Sequence, residues 1–240
     1  MMLLRRRNMM GAAKSLEGAL GSLAVGTLVT LKGVGNFIVV HQGNPNSPLD
    51  NVYDVSCNGT WLWLEDVYLT TRRFDASSNN YPESDIAQWL NETYANFFHD
   101  YVKQYLKTVK IPYYDADADQ RMWAGNGFQC KAFLPGAMEL AFYAEDFGIW
   151  GNAHVAYDGL ELSYFSSIVD NKLSHADEKR AASKWYWMRT PYKTSANNCF
   201  LVNSSGAGTY RTVSSNYGVR PMIIMDKYTP IDGDEIAIVE

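Results

Sequence analysis

Apolar residues recur at steps of three and four between residues 84 and 106, and this is the clearest periodicity in the chain. The apolar positions are Ile86, Trp89, Leu90, Tyr94, Phe97, Tyr101 and Tyr105. Such spacing lines one face of a helix, and Ser84 can cap the first turn by accepting a backbone N–H bond. The pattern predicts either one helix over 84–106 or two consecutive helices interrupted at Asn91. We expect the aromatic face to be part of the core.

The rest of the chain alternates short β-type runs with turn residues. Two runs flank a glycine-containing turn at 32–36, which is typical of a hairpin. The predicted strands cover 25–31, 37–40, 61–64, 128–134, 185–189, 200–203, 210–213, 219–225 and 236–239, and a short helix is predicted over 137–144. The segments 44–48, 112–126 and 143–163 are predicted to be loops or irregular. Few helices, many short strands and long loops indicate an α+β fold, and long loops in a compact domain usually carry function.

Composition divides the chain into three parts. Residues 1–22 form a separable leader with a helical bias, which we expect to serve attachment or oligomerisation; residues 23–228 form one domain, and 229–240 form an acidic tail. Arginines at 5–7 and an apolar run at 20–31 resemble parts of a secretory signal, but Lys14 and Glu17 separate them and no clear cleavage site follows, so a signal peptide is not favoured. The apolar run is shorter than the roughly 20 residues that cross a bilayer, so no membrane span is predicted.

The overall composition fits one packed domain of 240 residues, of which 47% are hydrophobic. The 21 basic and 26 acidic side chains leave a formal net charge of −5, which argues against general nucleic-acid binding. The 16 tyrosines and 7 tryptophans suit either a recognition surface or a β-rich core. Cys57, Cys130 and Cys199 have no short spacing, so we expect buried thiols rather than disulfides or a metal knuckle.

No pattern of catalytic or metal-ligating residues stands out. The acids Asp115, Asp117 and Asp119 alternate as in a calcium loop, but Gln120 stands where that loop needs glycine and Asn126 where it needs glutamate. An acidic turn is therefore favoured over a metal site. The four histidines are scattered, and the glycine-rich phosphate and nucleophile-elbow motifs are absent. We expect no catalytic residue, no metal and no cofactor.

The last third of the chain is unusually rich in Tyr, Ser, Asn, Thr and Gly. This stretch lies between Trp-Tyr-Trp-Met-Arg-Thr-Pro at 185–191 and Gly-Val-Arg-Pro at 218–221, with Val-Asn-Ser-Ser-Gly at 202–206 inside it. Tyrosine offers contact area at low entropic cost, while Ser, Asn and Gly adapt their hydrogen bonds. The composition is typical of a recognition surface, although ordinary β-turn loops share it.

These three motifs resemble the C-terminal region of C-type-lectin-fold proteins from phages and prophages of gut bacteria. That group is related to the formylglycine-generating-enzyme-like branch of the fold and includes variable proteins of diversity-generating retroelements. Upstream segments resemble the same group in the same order, at 23–26, 37–43, 53–62, 84–91, 109–112, 133–139 and 162–165. The resemblance covers about residues 22–225, and its strength lies in the number of motifs in register.

The resemblance implies a C-type-lectin-like α+β fold, in which two helices pack on small twisted antiparallel sheets with long irregular loops. It implies binding rather than catalysis, by a receptor-binding or adhesin module of a phage tail tip or fibre. The protein would then act in the virion, after assembly in the host cytoplasm, or alternatively at the bacterial cell surface. The implied partners are a host-cell surface protein or glycan, phage tail proteins and further copies of the chain in a homo-oligomer.

The resemblance also places the variable positions at 192–201 and 207–216, next to the framework residues Trp185, Trp187, Arg189, Pro191, Gly218, Arg220 and Pro221. The candidate ligand-binding residues are Tyr192, Lys193, Thr194, Ser195, Asn197, Asn198, Phe200, Thr209, Tyr210, Arg211, Thr212, Ser214, Asn216 and Tyr217. Strands that fix the ends of a loop allow the side chains between them to vary without unfolding the core.

Two alternatives stay open. The chain could be a structural virion protein of the tail or a decoration protein, without ligand binding. It could also be an enzyme of the formylglycine-generating type, although the paired active-site cysteines are missing and Cys199 is isolated. The calcium motifs Glu-Pro-Asn and Trp-Asn-Asp of animal C-type lectins are absent as well, so the resemblance implies neither calcium nor a sugar ligand.

Overall fold

The computed structural model describes residues 18–143 and 155–231, together with the backbone of 237–239. The strands are β1 (Leu28–Leu31), β2 (Gly35–Gly43), β3 (Gly59–Leu64), β4 (Arg72–Arg73), β5 (Val109–Ile111), β6 (Tyr113–Asp115), β7 (Gln120–Met122), β8 (Phe128–Cys130), β9 (Ala132–Phe133), β10 (Tyr186–Pro191), β11 (Asn198–Val202), β12 (Gly208–Thr212), β13 (Asn216–Tyr217), β14 (Met222–Met225) and β15 (Ala237–Val239). The α-helices are α1 (Asp85–Glu92) and α2 (Asp100–Lys103). The mixture of helices and antiparallel sheets is an α+β fold.

The largest sheet has six strands in the order β15-β1-β2-β3-β14-β9, and all neighbouring strands are antiparallel. The predicted hairpin is confirmed, since β1 pairs with β2 across a turn in which Gly33 has φ +95°. Every residue of β3 and β14 is buried. A strand covered on both faces is apolar at consecutive positions, which is why these two segments show no alternation in the sequence. They form the centre of the core.

The helical region divides into two helices, as one of the two predicted alternatives had it, but the break falls at Thr93 rather than Asn91. Ser84 caps α1 by accepting a bond from the Ala87 N–H at 3.3 Å, as predicted. Asn91 stays helical and ties α1 to the main sheet, because its amide donates to the Ala132 carbonyl and its oxygen accepts from the Lys131 N–H. The chain continues through a 3-10 turn at Tyr94–Asn96.

The break also decides which aromatic residues reach the core. Trp89 and Tyr94 are buried and their ring centroids lie 5.6 Å apart, as expected. Phe97 and Tyr101 were predicted to be buried, but their side chains are 41% and 58% exposed. The 3-10 turn changes the helical phase, so the buried positions beyond it are Phe98 and Val102 rather than Phe97 and Tyr101.

Several other predicted boundaries are corrected. The strand expected over 128–134 is divided into β8 and β9, and the loop expected over 112–126 contains the β6–β7 hairpin, in which β6 ends at Asp115 and the turn holds Asp117 and Asp119. In that turn the Asp115 carboxylate accepts bonds from the N–H groups of residues 117 and 118. The helix expected over 137–144 is a 3-10 turn at Met138–Leu140, ended by Ala141 with φ 59°, and residue 144 lies outside the described residues.

The domain extends beyond the expected boundaries at residues 22 and 229. Leu20 is fully buried, and its N–H donates to the Thr229 carbonyl at 2.9 Å. Ala19 forms a β-bridge with Pro230, and β15, in the expected tail, pairs with β1. The end of the leader and parts of the tail therefore contact the domain, because Leu20 packs in the core, Ile231 packs against it, and β15 adds a backbone strand beside β1. Residues 1–17 and 232–236 lie outside the described residues.

A buried ion pair joins the segment after β9 to β10. The two terminal nitrogens of the Arg189 guanidinium each donate to one oxygen of Glu139 at 2.7 Å, and both side chains are fully buried. Glu139 also accepts a bond from the Tyr53 hydroxyl at 2.8 Å. The ion pair thus links the resembling segments 53–62, 133–139 and 185–191 within the core. Two parallel bonds between a guanidinium and a carboxylate are stronger than bonds between neutral groups.

Asp158 completes this buried group. Its Oδ2 accepts from the Thr190 hydroxyl at 2.7 Å and lies 3.9 Å from the Arg189 Nε, whereas its Oδ1 has no hydrogen-bond partner among the described residues. Burial raises the pKa of the Asp158 carboxyl to about 6, although the positive charge of Arg189 acts in the opposite direction. The folded chain therefore binds this proton more tightly than the unfolded chain.

Replacing Asp158 with Asn is expected to change how stability depends on pH. Because the folded pKa is raised above the ordinary value of 3.8, the stabilising contribution of the bound proton is complete below that value and is lost as the pH rises through about 6. Between about pH 4 and pH 7 the wild type should lose about 2–3 kcal/mol relative to Asp158→Asn. Urea unfolding at a series of pH values measures this difference, and parallel profiles for the two proteins would contradict it.

Candidate functional site

The candidate surface is built on the three-stranded sheet β10-β11-β12. Every residue of β10 is buried, and β11 is buried apart from its first residue. β12 is an edge strand, and its residues Arg211 and Thr212 are exposed. An edge strand carried by two buried strands presents its outward side chains on a rigid base.

The fourteen candidate residues fall into three classes of exposure. The exposed ones are Lys193, Thr194, Asn197, Arg211, Thr212, Ser214 and Asn216, and the half-buried ones are Ser195, Asn198, Thr209, Tyr210 and Tyr217. Tyr192 and Phe200 were expected on the recognition surface, but both are buried, with exposed fractions of only 8% and 0%. Phe200 lies on the central strand of the sheet and its ring centroid is 5.5 Å from that of Tyr192, so the two pack together in the core. Their rings therefore support the surface from within the core.

The loop between β10 and β11 is fixed by hydrogen bonds from the buried side chain of Asn79. Its amide nitrogen donates to the carbonyls of Tyr192, Ser195 and Asn198 at 3.1, 3.0 and 2.7 Å. Asn79 itself is buried. A loop whose carbonyls converge on one buried amide is ordered before it binds anything, which lowers the entropic cost of recognition.

Lys193 extends from this loop toward the β6–β7 turn. Its ammonium lies 3.7 Å from Asp119 Oδ1 and 4.9 Å from the centre of the Tyr114 ring. It lines a cavity of about 260 Å³ together with Tyr114, Arg121 and Tyr157. The positive charge of Lys193 is therefore partly balanced within the molecule.

A second, larger groove of about 460 Å³ brings together three of the predicted residues. Its lining is Thr71, Lys184, Trp185, Arg211, Asn216, Tyr217 and Gly218. Arg211, Asn216 and Tyr217 belong to the predicted set. Trp185 and Gly218 were expected only as framework, while Thr71 and Lys184 were not predicted. No sequence pattern links Thr71 to this region; the pairing of β4 with β13, in register Arg73 to Asn216, brings it there.

The wall of this groove is a pair of aromatic rings. Trp185 and Tyr217 stack at a centroid distance of 5.9 Å and an angle of 15°, and both are half-buried. Tyr217 also meets the buried Trp187 edge to face at 5.2 Å. Gly218 allows this approach, since a β-carbon there would lie 2.7 Å from the Trp185 carbonyl. The half-buried rings are thus anchored in the core.

The groove also carries positive charge. The guanidinium carbon of Arg211 lies 4.9 Å from the centre of the Trp185 ring, and Lys184 is exposed beside it. Within the described part of the chain, no carboxylate lies within ion-pair distance of either residue. An adjoining hollow of about 380 Å³ holds Arg73, which Asp85 neutralises at 2.7 Å. Two unbalanced cations therefore face this groove in a chain whose net charge is −5.

The three cysteines are buried free thiols, as predicted. Burial raises the pKa of the Cys57 thiol to about 12, and it raises the pKa values of Cys130 and Cys199 well above their ordinary value. A nucleophilic or metal-binding cysteine must reach its thiolate form, which these surroundings oppose. Among residues 18–143 and 155–231, no group of three or more His, Cys, Asp or Glu side chains is placed to hold a metal ion.

In the part of the chain that the structure describes, no helix is long and apolar enough to cross a membrane.

Comparisons with known proteins place the chain in one family. Neither the curated proteins nor the solved structures yield a match to the chain. A family model described as "Domain of unknown function (DUF6273)" matches residues 58–227, more than two thirds of the chain, and this range includes every residue that lines the groove. The chain therefore belongs to the DUF6273 family.

Proposed function

We propose that this protein is a receptor-binding or adhesin module of a phage tail tip or fibre, which recognises a host-cell surface molecule through its C-terminal region. The observation that carries the proposal is the groove itself, in which a stacked Trp185–Tyr217 pair and two unbalanced cations face solvent. Aromatic and arginine side chains are the residues that most often dominate binding energy at interfaces. The protein would act in the virion or, alternatively, at the bacterial cell surface.

The arrangement of rigid and variable positions supports this proposal. Arg211, Thr212, Ser214 and Asn216 are exposed, so their side chains can change without loss of core packing. The strand ends next to them are fixed by buried groups such as Arg220, whose guanidinium carbon lies 3.4 Å from the centre of the Trp63 ring. Such a division suits a surface that adapts to different ligands.

A C-type-lectin-like fold is part of the proposal. It is supported by two short helices, by small antiparallel sheets and by the way the resembling segments meet in the core through Arg189 and Glu139. Attachment to tail proteins and assembly with further copies of the chain also belong to it. The buried thiols support binding over thiol-based catalysis of the formylglycine-generating type.

Replacing Tyr217 with Ala tests the proposal on intact cells. Labelled wild-type protein is expected to bind at least one strain in a panel of gut bacteria, and Tyr217→Ala should weaken that binding by about 2 kcal/mol, or about 30-fold, because it removes half of the aromatic wall. Tyr101→Ala is the matched control, since Tyr101 is an exposed aromatic on α2 outside the groove. It should bind as the wild type does.

Circular dichroism melting of all three proteins checks that the variants are folded. Equal binding by folded Tyr217→Ala and wild type would mean that the groove is not the recognition surface. If the wild type bound no strain of the panel, the structural virion protein would become the better interpretation.

A further inference from the structure

The guanidinium of Arg211 is held in place with one edge left for a ligand. Its Nη1 donates to the Tyr210 carbonyl at 2.7 Å and to the Thr209 hydroxyl at 3.2 Å, and its central carbon lies 4.9 Å from the centre of the Trp185 ring. Its Nε and Nη2 make no hydrogen bond to the described residues. These two nitrogens form the edge that binds a carboxylate or phosphate through two parallel bonds. The intramolecular contacts reduce the rotamer freedom that binding would otherwise have to remove.

Lys184 adds a second positive charge to the same groove. Neither cation has a carboxylate within ion-pair distance in the described residues, so an anionic ligand in the groove would pair with charges that the described residues leave unpaired. The surplus is local, since the chain as a whole is acidic. A neutral or cationic ligand would leave both charges uncompensated.

The remaining lining residues favour a ligand that is polar as well as anionic. Thr71 supplies a hydroxyl and Asn216 an amide, both exposed in the groove. Trp185 and Tyr217 supply an apolar wall. A saccharide ring combines hydroxyl groups with a face of C–H bonds, so one sugar residue could satisfy both kinds of contact. The volume of about 460 Å³ is in the range of small-ligand sites.

We propose that this groove binds an acidic saccharide, whose carboxylate or phosphate ester pairs with Arg211 and Lys184 while its ring packs against Trp185 and Tyr217. This inference rests on the proposed recognition function and specifies its ligand class. In this arrangement Arg211 binds the anionic group directly and Lys184 attracts it at longer range. Thr71 and Asn216 form hydrogen bonds with the hydroxyl groups of the sugar ring.

Equilibrium titration of the full chain with defined polymers tests the ligand class. The probes are a glucuronic-acid polysaccharide, its carboxyl-reduced form, a phosphomannan and poly-glutamate. Binding to the uronate polymer or the phosphomannan is expected, and the stronger of the two identifies the source of the anion. The carboxyl-reduced polymer and poly-glutamate should bind at least about tenfold more weakly. The first lacks the negative charge that pairs with Arg211, and the second lacks the sugar ring that packs against Trp185 and Tyr217.

Charge variants identify the groove as the site. Arg211→Gln should weaken binding of the preferred polymer at least about tenfold, as expected when a charge-assisted pair is lost, and Lys184→Gln about threefold. Lys131→Gln is the matched control, since Lys131 is an exposed lysine outside the groove, and it should bind as the wild type does. Raising the salt concentration should weaken wild-type binding more than binding by Arg211→Gln.

Three results would overturn the inference: no binding of either acidic polysaccharide, equal binding of poly-glutamate, or unchanged binding by folded Arg211→Gln. If the protein binds cells but neither acidic polysaccharide, the ligand class is wrong and the recognition function stands. If it binds a polysaccharide through Arg211 but no cells, the anion site stands and the proposed receptor-binding function fails.

Discussion

Replacing Arg189 with Met is expected to lower the free energy of unfolding by about 3–5 kcal/mol. The substitution keeps an apolar chain in the site but leaves the fully buried carboxylate of Glu139 without its paired cation. It also removes the donors to the carbonyls of Pro112 and Leu134, at 3.0 and 2.8 Å. Buried acceptors without donors destabilise a fold more than the original bonds stabilise it. Chemical denaturation at neutral pH measures the loss.

The double variant Arg189→Met with Glu139→Gln is the control for this prediction. Removing both charges leaves no unpaired buried ion from this pair, so the double variant should be more stable than Arg189→Met alone. If instead the two substitutions destabilised the protein additively, the ion pair would not be coupled as its 2.7 Å contacts indicate. Binding to cells should fall in parallel with the folded fraction, since β10 directly follows Trp185, which lines the groove.

Replacing Gly206 with Ala is expected to lower the free energy of unfolding by about 3 kcal/mol or more. Gly206 has φ +86°, a left-handed conformation that costs little for glycine and more for alanine. A β-carbon there would also lie 2.0 Å from the Asp177 carbonyl oxygen, so the backbone would have to move. Gly206 closes the turn between β11 and β12, in which the Asn203 carbonyl accepts its N–H bond at 3.0 Å.

Gly125→Ala is the matched control for Gly206→Ala. Gly125 lies in a 3-10 turn where an added β-carbon would meet no atom within 4 Å, so its replacement should change the free energy of unfolding by less than about 0.5 kcal/mol. Thermal and urea unfolding of both variants give the comparison. Similar losses in the two variants would show that the close approach of Asp177 to Gly206 does not govern the stability of this turn.

Arg189 and Gly206 both support the proposed recognition surface. Arg189 fixes β10, and Gly206 fixes the turn that leads into β12, where Arg211 lies. Neither residue lines the groove. A rigid support of this kind holds the exposed side chains in a binding geometry at low entropic cost.

Local patterns predicted the elements whose cause is local. The Ser84 cap, the buried apolar face of α1 and the hairpin formed by β1 and β2 depend on residues within about ten positions of each other, so their side-chain chemistry is visible in the sequence. The α+β class and the burial of the three cysteines followed from composition and spacing in the same way.

The exposure of the candidate residues could not be predicted in this way. Tyr192 and Phe200 have the same side-chain character as Tyr217, and only the packing of β11 against its neighbours decides that the first two are buried and the third is half-exposed. The break at Thr93 likewise depends on contacts outside the helix, because Asn91, the more obvious helix breaker, is used to hold β9.

An α+β domain with an aromatic core can be predicted from the amino-acid sequence, and so can a last third that combines fixed motifs with a polar, tyrosine-containing stretch. Folding is needed to bring Thr71 and Lys184 into one groove with Trp185, Arg211 and Tyr217, and to pair Glu139 with Arg189 in the core. These contacts join residues far apart along the chain: β4 and β13 are separated by more than 140 residues, and their pairing depends on the packing of the whole domain rather than on any local preference.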